Sequence, residues 1–224
     1  MSRYSEIHGK SSRLPARRFG YYHRLNLIRD TLKAYSTPHT RLLDIGSAHG
    51  DYVWDFAQEG WEVTCLDINL ERLKDGKQLN PKIAFVSGDG QKLPFSSHSF
   101  DVVTILNTLR YIPAPSQALL ESSRVLRGGG GLVLIDHNKL SLDTLWARNP
   151  EVMRLFSIRG LRQMLSQSNF QILKAKYLFI PPASTPRQCL GIVPKLGVLL
   201  SSLGLSWIFP EIFIYAVKVE AKNE

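Results

Sequence analysis

Phe19, Tyr22, Leu25, Ile28 and Leu32 recur at three- and four-residue spacing, which predicts one amphipathic helix ending before Ser36-Thr37-Pro38. From Arg41 the rhythm changes. Short apolar runs alternate with helical stretches: RLLDIG before a helix over 50–58, EVTCLD before 69–79, KIAFVSGD, FDVVTIL before 115–126, and GGLVLID. Five buried strands separated by helices predict a parallel sheet, because parallel neighbours need a crossover and right-handed crossovers put helices on both faces. Beyond the fifth strand, FSIRGLRQMLSQSNF predicts a helix with Ile158, Leu161 and Leu165 on one face. Strand-like stretches follow at 170–180 and 212–219, joined by an apolar segment at 181–210, and extend the sheet as an antiparallel pair. The predicted fold is α/β: a doubly wound seven-stranded sheet, mostly parallel with an antiparallel last strand, preceded by an N-terminal helix. In such a sheet the ligand belongs at the carboxyl ends of the strands.

The chain of 224 residues is long enough for one domain with additions. The pattern divides it into an arm and helix at 1–40 and a sheet domain at 41–224, with the apolar insertion at 181–210. Apolar residues at 44% and charged residues at 21% exclude collagen-like, disordered and coiled-coil classes. Two cysteines, Cys65 and Cys189, supply neither a disulfide framework nor a four-thiolate zinc site. With no apolar stretch in the first twenty residues to act as a secretory signal, a reducing, cytoplasmic setting is expected.

Charge changes the picture through its placement. Of the net +9, residues 1–41 carry +7, leaving +2 for the remainder. Such an arm suits phosphate on RNA, on anionic lipid or on a substrate, and equally a solvated terminus. The run LGVLLSSLGLSWIFP at 196–210 is uncharged for fifteen residues and bounded by Pro194 and Pro210. A spanning helix needs about 18–20 residues, so a buried or interfacial helix with peripheral membrane contact is expected, and no transmembrane span.

The most informative string is LLDIGSAHG at 42–50, where a strand runs into Gly46, Ala48 and Gly50 before a helix. Small residues let a ligand approach the backbone; Gly46 takes the tight turn and Gly50 opens the helix. Asp67, twenty-one residues past Gly46, ends the second strand where it can accept hydrogen bonds from a ribose diol. A dinucleotide loop needs its third small residue where Asp51 stands, and a carboxylate there repels a pyrophosphate. No GxxxxGK[ST] string occurs. A cationic nucleoside without phosphates fits better, with Asp44, Asp67 and Asp89 projecting from strand ends toward one crevice; the alternative is that they are turn and cap residues.

Four ordered segments carry a specific resemblance: LLDIGSAHG, CLDIN at 65–69, GDGQKLPFSSHSFDVVTILNTLRYI at 88–112 and LLESSRVLRGGGGLVLID at 119–136. Over about residues 40–180 the chain resembles the class I S-adenosylmethionine-dependent methyltransferases, and is similar to the subgroup containing the ubiquinone/menaquinone-biosynthesis methyltransferases. The resemblance implies a Rossmann-like fold and S-adenosylmethionine as cofactor, with S-adenosylhomocysteine as product. It implies Asp44, Gly46, Ser47, Ala48 and Gly50 around the methionine part, Asp67 on the ribose hydroxyls, Ile68 on the adenine, Asp89 and Gly90 at the adenine edge, and Asn107 beside the methionine part. Ala48 departs from the usual middle glycine of the family. Arg110 and Tyr111 stand where relatives often carry histidines, so a role for those histidines does not transfer.

Methyl transfer from a sulfonium is an in-line displacement, so the protein mainly aligns the reactants and excludes water. His137 after the fifth strand is the leading base candidate, since a neutral imidazole is available near pH 7; the alternative is a packed histidine beside the loop. Tyr21, Tyr22 and His23 either cover the site, as N-terminal helices do in this family, or pack in the core. Arg110 either binds an anionic group of the substrate or is a solvated charge. Trp146, Trp207 and Phe209 are aromatic candidates for an acceptor pocket. His49 has no second ligand at metal spacing, so no metal is expected. The expected function is methylation of a small-molecule or lipid-like acceptor. The alternatives are a tRNA or RNA methyltransferase using the basic arm and a non-catalytic partner protein. The sequence has LNTLRY rather than [DNS]PP[FY] after the fourth strand, which removes exocyclic base amines from the RNA chemistries.

Overall fold

The computed structural model describes residues 15–35, 37, 39–141, 154–182 and 184–219. The first fourteen residues of the basic arm, and Trp146, lie outside the described residues. In chain order the elements are α1 (Pro15–Leu32), β1 (Arg41–Ile45), α2 (Trp54–Gln58), β2 (Glu62–Asp67), α3 (Leu70–Leu79), β3 (Ala84–Ser87) and β4 (Phe100–Leu106). They continue with α4 (Pro115–Val125), β5 (Leu126–His137), α5 (Ile158–Gln167), β6 (Phe170–Leu178), α6 (Val193–Ser202) and β7 (Glu211–Lys218).

One seven-stranded sheet runs β3-β2-β1-β4-β5-β7-β6. The first five strands pair in parallel, and β7 inserts antiparallel between β5 and β6. The strand order reverses between β1 and β4, and that switch point opens the crevice in a doubly wound sheet. Successive residues of the central strands serve opposite faces. Leu43, Val103, Leu132 and Leu134 join one core with α4 and α5, whereas Leu42, Val102, Val133 and Ile135 join a second core with α1 and α2. Because both faces are covered, the strands read as unbroken apolar runs.

The structure departs from the periodicity in three places. In α1 the buried stripe is Tyr21, Leu25, Ile28 and Leu32, while Phe19 and Tyr22 are half-buried, so the inward face is turned by one residue at its start. The helix expected over 50–58 contracts to Trp54–Gln58, because residues 47–53 are used in successive turns closed by Gly50 N–H on the Ser47 carbonyl at 2.9 Å and Val53 N–H on the Gly50 carbonyl at 3.3 Å. Gly50 therefore serves a left-handed turn (φ 78°) and does not open the helix. The 181–210 segment holds α6, but that helix leaves most of its apolar side chains in solvent. Among the described residues no helix is long and apolar enough to cross a membrane.

Candidate functional site

The chain leaves β1 through Gly46, whose φ of 71° lies in the left-handed region. The N–H groups of Gly46 and Ser47 both donate to the Leu66 carbonyl of β2, at 2.7 and 3.1 Å. A Cβ at position 46 would stand 2.0 Å from Thr108 Cγ2, so only glycine passes here. Ala48 also has positive φ (49°), and its N–H donates to Asp67 Oδ2 at 2.8 Å. The other carboxylate oxygen accepts from the Asn69 N–H at 2.8 Å. Asp67 thus clasps the loop after β1 to the loop after β2, while each oxygen keeps a second lone pair for an outside donor. Ile68 stands beside it, 79% exposed, an apolar surface facing water at the mouth of a cleft.

The opposite wall comes from the loops after β3 and β4. Asp89 is exposed and accepts from both the backbone and the side-chain amide of Gln91, and the Gln91 Oε1 in turn accepts from the Ala114 N–H at 2.8 Å. Gly90 is buried against Ile45, where a Cβ would lie 2.9 Å from Cγ2. Asn107 has φ 57°, and its N–H donates to the Ile135 carbonyl of β5 at 2.7 Å. Together these walls enclose a crevice of about 560 Å³, within the usual range of small-molecule sites.

Seven of the sequence-nominated residues line that crevice: Gly46, Ala48, Asp67, Ile68, Asp89, Gly90 and Asn107. Asp44, Ser47 and Gly50 stand behind the wall. Asp44 does not project into the crevice as expected; it is buried and accepts from Thr104 Oγ1 at 2.6 Å. Burial pushes its carboxyl up to about 7, against the Thr104 hydrogen bond and with the help of the nearby Asp51 and Asp67. Asn69, Arg72, Gln91, Thr108 and Tyr111 also line the crevice, and periodicity carries no signal for them because they belong to loops and helix starts.

Behind the Asn107 end lies a second polar group. Arg110 is buried; its guanidinium donates to Asp136 Oδ1 at 2.8 Å and lies 4.7 Å over the Tyr111 ring. Arg110 is therefore paired inside the protein and is not the solvated charge of the alternative reading, and it does not line the crevice. Burial opposes its charge, yet Asp136 outweighs burial and holds the guanidinium above its ordinary range. His137 comes next, with Nε2 4.0 Å from Glu211 Oε1. Burial first and the Arg110 charge second lower its pKa, so the imidazole is neutral at pH 7. Glu211 is held by Arg24 of α1 through two contacts, Nε to Oε2 at 2.7 Å and Nη2 to Oε1. Arg24 and Glu211 were invisible to local pattern reading, since their partners are 187 residues apart.

Tyr21 and Tyr22 do not line the crevice. Tyr21 is buried, donates to the Asp51 carbonyl at 2.9 Å and stacks on Tyr52 at 5.0 Å, so α1 is seated on the loop after β1. Phe209 is buried against Phe179 and Trp207 is exposed beside α6; neither lines the crevice. Among the described residues no group of three His, Cys, Asp or Glu is placed to hold a metal ion.

Residues 43–134 match the family model described as a methyltransferase domain. The chain is 41% identical over 101 residues to a demethylmenaquinone methyltransferase of Renibacterium salmoninarum, covering 45% of this chain and 43% of that one. It is 28% identical over 157 residues to a ubiquinone/menaquinone biosynthesis C-methyltransferase of Cereibacter sphaeroides, covering 66% of this chain and 63% of that one. The chain thus spans less than two thirds of the length of these relatives. The fold matches a solved S-adenosylmethionine-dependent methyltransferase of Thermotoga maritima with a TM-score of 0.68 at 16% identity, covering 91% of each chain. Residues 43–134, less than half of the chain, are thus similar to a methyltransferase domain, and the chain as a whole shares the fold of that solved neighbour.

Proposed function

We propose that this protein transfers a methyl group from S-adenosylmethionine to a small, lipid-soluble acceptor of the quinone type. The observation that carries the reading is the crevice at the β1/β4 switch point, where backbone at Gly46 and Ala48 forms one wall and the Asp67 and Asp89 carboxylates form others. The residues fit the cofactor on chemical grounds. Asp67 has free lone pairs for vicinal hydroxyls, exposed Ile68 supplies an apolar cover for a flat base, and no phosphate-seeking cation cluster is needed. Leu106, Tyr111, Ile112 and Pro113 give the Asn107 end of the crevice an apolar lining suited to a ring-bearing acceptor. The quinone class is supported by the names of the similar proteins, a demethylmenaquinone methyltransferase and a ubiquinone/menaquinone biosynthesis C-methyltransferase.

Bound S-adenosylmethionine supplies an electrophilic methyl on a sulfonium sulfur. The chain's own residues hold and orient the reactants in line and keep water out. His137 is neutral at pH 7 and stands behind the Asn107 end, outside the crevice lining, so it takes the proton of an acceptor hydroxyl or ring carbon only where the acceptor extends past Asn107.

Titration calorimetry with S-adenosylmethionine tests the cofactor assignment; no heat of binding at about 1 mM ligand, the upper end of ordinary KM values, rejects it. Label from the methyl group is expected in the lipid fraction of a cell extract rather than in RNA or protein. His137→Gln is expected to lower kcat by about 100-fold with cofactor affinity unchanged. An unchanged kcat removes His137 from the chemistry.

A further inference from the structure

The segment between β6 and β7 has an unusual surface. α6 packs on the body through Val193 and Gly197, the latter 3.3 Å from the Phe179 ring at the position of a Cβ. At 100° per residue, Ile192, Leu196, Leu199 and Leu203 fall on a single stripe beside Lys195 and Val198, turned away from that contact. These apolar side chains are exposed: Val198 by 71%, Leu203 by 63%, Ile192 by 62% and Leu199 by 55%. A helix that is apolar on both its inward and outward sides needs cover on both.

Charge selects the cover. From residue 152 to residue 210 the sequence has seven Lys or Arg and no Asp or Glu. Within the segment itself Arg187 and Lys195 are the charged side chains, and both are exposed. Gly20 of α1 abuts Ile180, which brings exposed Arg17 and Arg18 to the base of the same segment. An apolar stripe framed by cations complements a bilayer of anionic lipid, where apolar side chains enter the headgroup boundary and cations meet the phosphates.

Its position in the fold matters too. The segment ends in β7, whose first residue Glu211 pairs with His137 at the carboxyl end of β5. Asn138, immediately after β5, donates its side-chain amide to the Trp207 and Phe209 carbonyls, at 2.6 and 2.9 Å. The apolar stripe is therefore fastened to the edge of the sheet that carries the crevice.

We infer that α6 and its flanks form a peripheral docking surface for anionic lipid bilayers, on the crevice edge of the sheet. The docking itself stands independently of methyl transfer; only its use, to meet a lipid-soluble acceptor at the bilayer, rests on the proposed function.

The test is co-sedimentation of the full chain with vesicles of phosphatidylcholine alone and of phosphatidylcholine mixed with phosphatidylglycerol, with calorimetry for S-adenosylmethionine in parallel. The chain is expected to sediment with the anionic vesicles and to be released by salt. Lys195→Ala is expected to weaken binding about fivefold. Leu199→Glu combined with Val198→Glu abolishes it; both positions are exposed, so near-UV circular dichroism should match wild type. Absence of sedimentation with anionic vesicles, or binding equal in wild type and the double variant, overturns the inference. So does a wild-type dimer that ignores vesicles and becomes monomeric in the double variant, which makes the stripe an interface between copies. Vesicle binding without any cofactor heat sinks the methyltransferase reading and leaves the docking surface standing.

Discussion

Arg24 in the first helix and Glu211 at the start of the last strand form a two-point ion pair across 187 residues of sequence. Glu211 is almost fully buried and Arg24 largely so. Breaking such a pair strands the remaining charge, which costs about 3–5 kcal/mol, whereas replacing both partners with apolar groups is often close to neutral. Arg24→Ala is therefore expected to lower unfolding free energy by about that amount, and Arg24→Ala with Glu211→Ala by less than the sum of the two single losses. Urea denaturation of the four members of a double-mutant cycle checks this. Additive losses would show that the pair contributes nothing. The same Arg24→Ala change should raise the His137 pKa, because the Arg24 charge lowers it and Glu211 raises it. NMR titration of the imidazole reads that shift separately from stability.

Gly46 and Gly129 both have positive φ, at 71° and 70°, but differ in surroundings. A Cβ at Gly129 meets nothing within 4 Å, whereas at Gly46 it overlaps Thr108. Gly129→Ala should cost only the left-handed backbone, about 1–2 kcal/mol. Gly46→Ala adds steric overlap and should cost about 2–5 kcal/mol in all, or abolish folding. Equal denaturation midpoints for the two variants would contradict the tight turn at the crevice wall.

Ile68 and Asp67 are neighbours with separable duties. Asp67 accepts from two backbone N–H groups, so Asp67→Ala should lose both stability, by about 1–3 kcal/mol for each stranded donor, and cofactor affinity. Ile68 is mostly exposed, so Ile68→Ala should leave stability within about 0.5 kcal/mol. Its affinity for S-adenosylmethionine should nevertheless fall about five- to tenfold, through loss of apolar cover over the base. Thermal melts beside calorimetry make the distinction; unchanged affinity in Ile68→Ala would remove it from the pocket.

Much of this architecture is legible in the chain because the central strands are buried on both faces and so appear as apolar runs such as FDVVTIL. The turn at Gly46 and the carboxylate at Asp67 are legible for a related reason, since each sits at a strand end whose position the runs determine. What was hidden depends on long-range contact, except at α2, where local turn geometry is the cause. The shortened α2 follows from the turns through Gly50, which local helical spacing does not register. Arg110 looks like a free cation until β5 brings Asp136 beside it, and Asp44 looks like a crevice acid until β4 brings Thr104. The exposure of α6 is opaque for the opposite reason: apolar composition signals a need for cover and does not name what supplies it.

Asp44 also makes stability depend on pH in an unusual direction. Its carboxyl, pushed up to about 7 chiefly by burial, binds a proton more tightly in the folded chain than in the unfolded one, where about 3.9 is ordinary. Between those two values the folded state keeps a proton that the unfolded state has lost. The stabilising contribution is thus fully present below about pH 4 and falls as pH rises through 7, by a few kcal/mol in total. Asp44→Asn keeps an oxygen to accept from Thr104 but carries no charge. It is expected to be more stable than wild type at pH 8, with the difference shrinking toward pH 5. Urea denaturation across pH 5–8 measures both curves. Parallel curves would mean that Asp44 remains ionised in the folded protein, with its charge held by a donor other than Thr104.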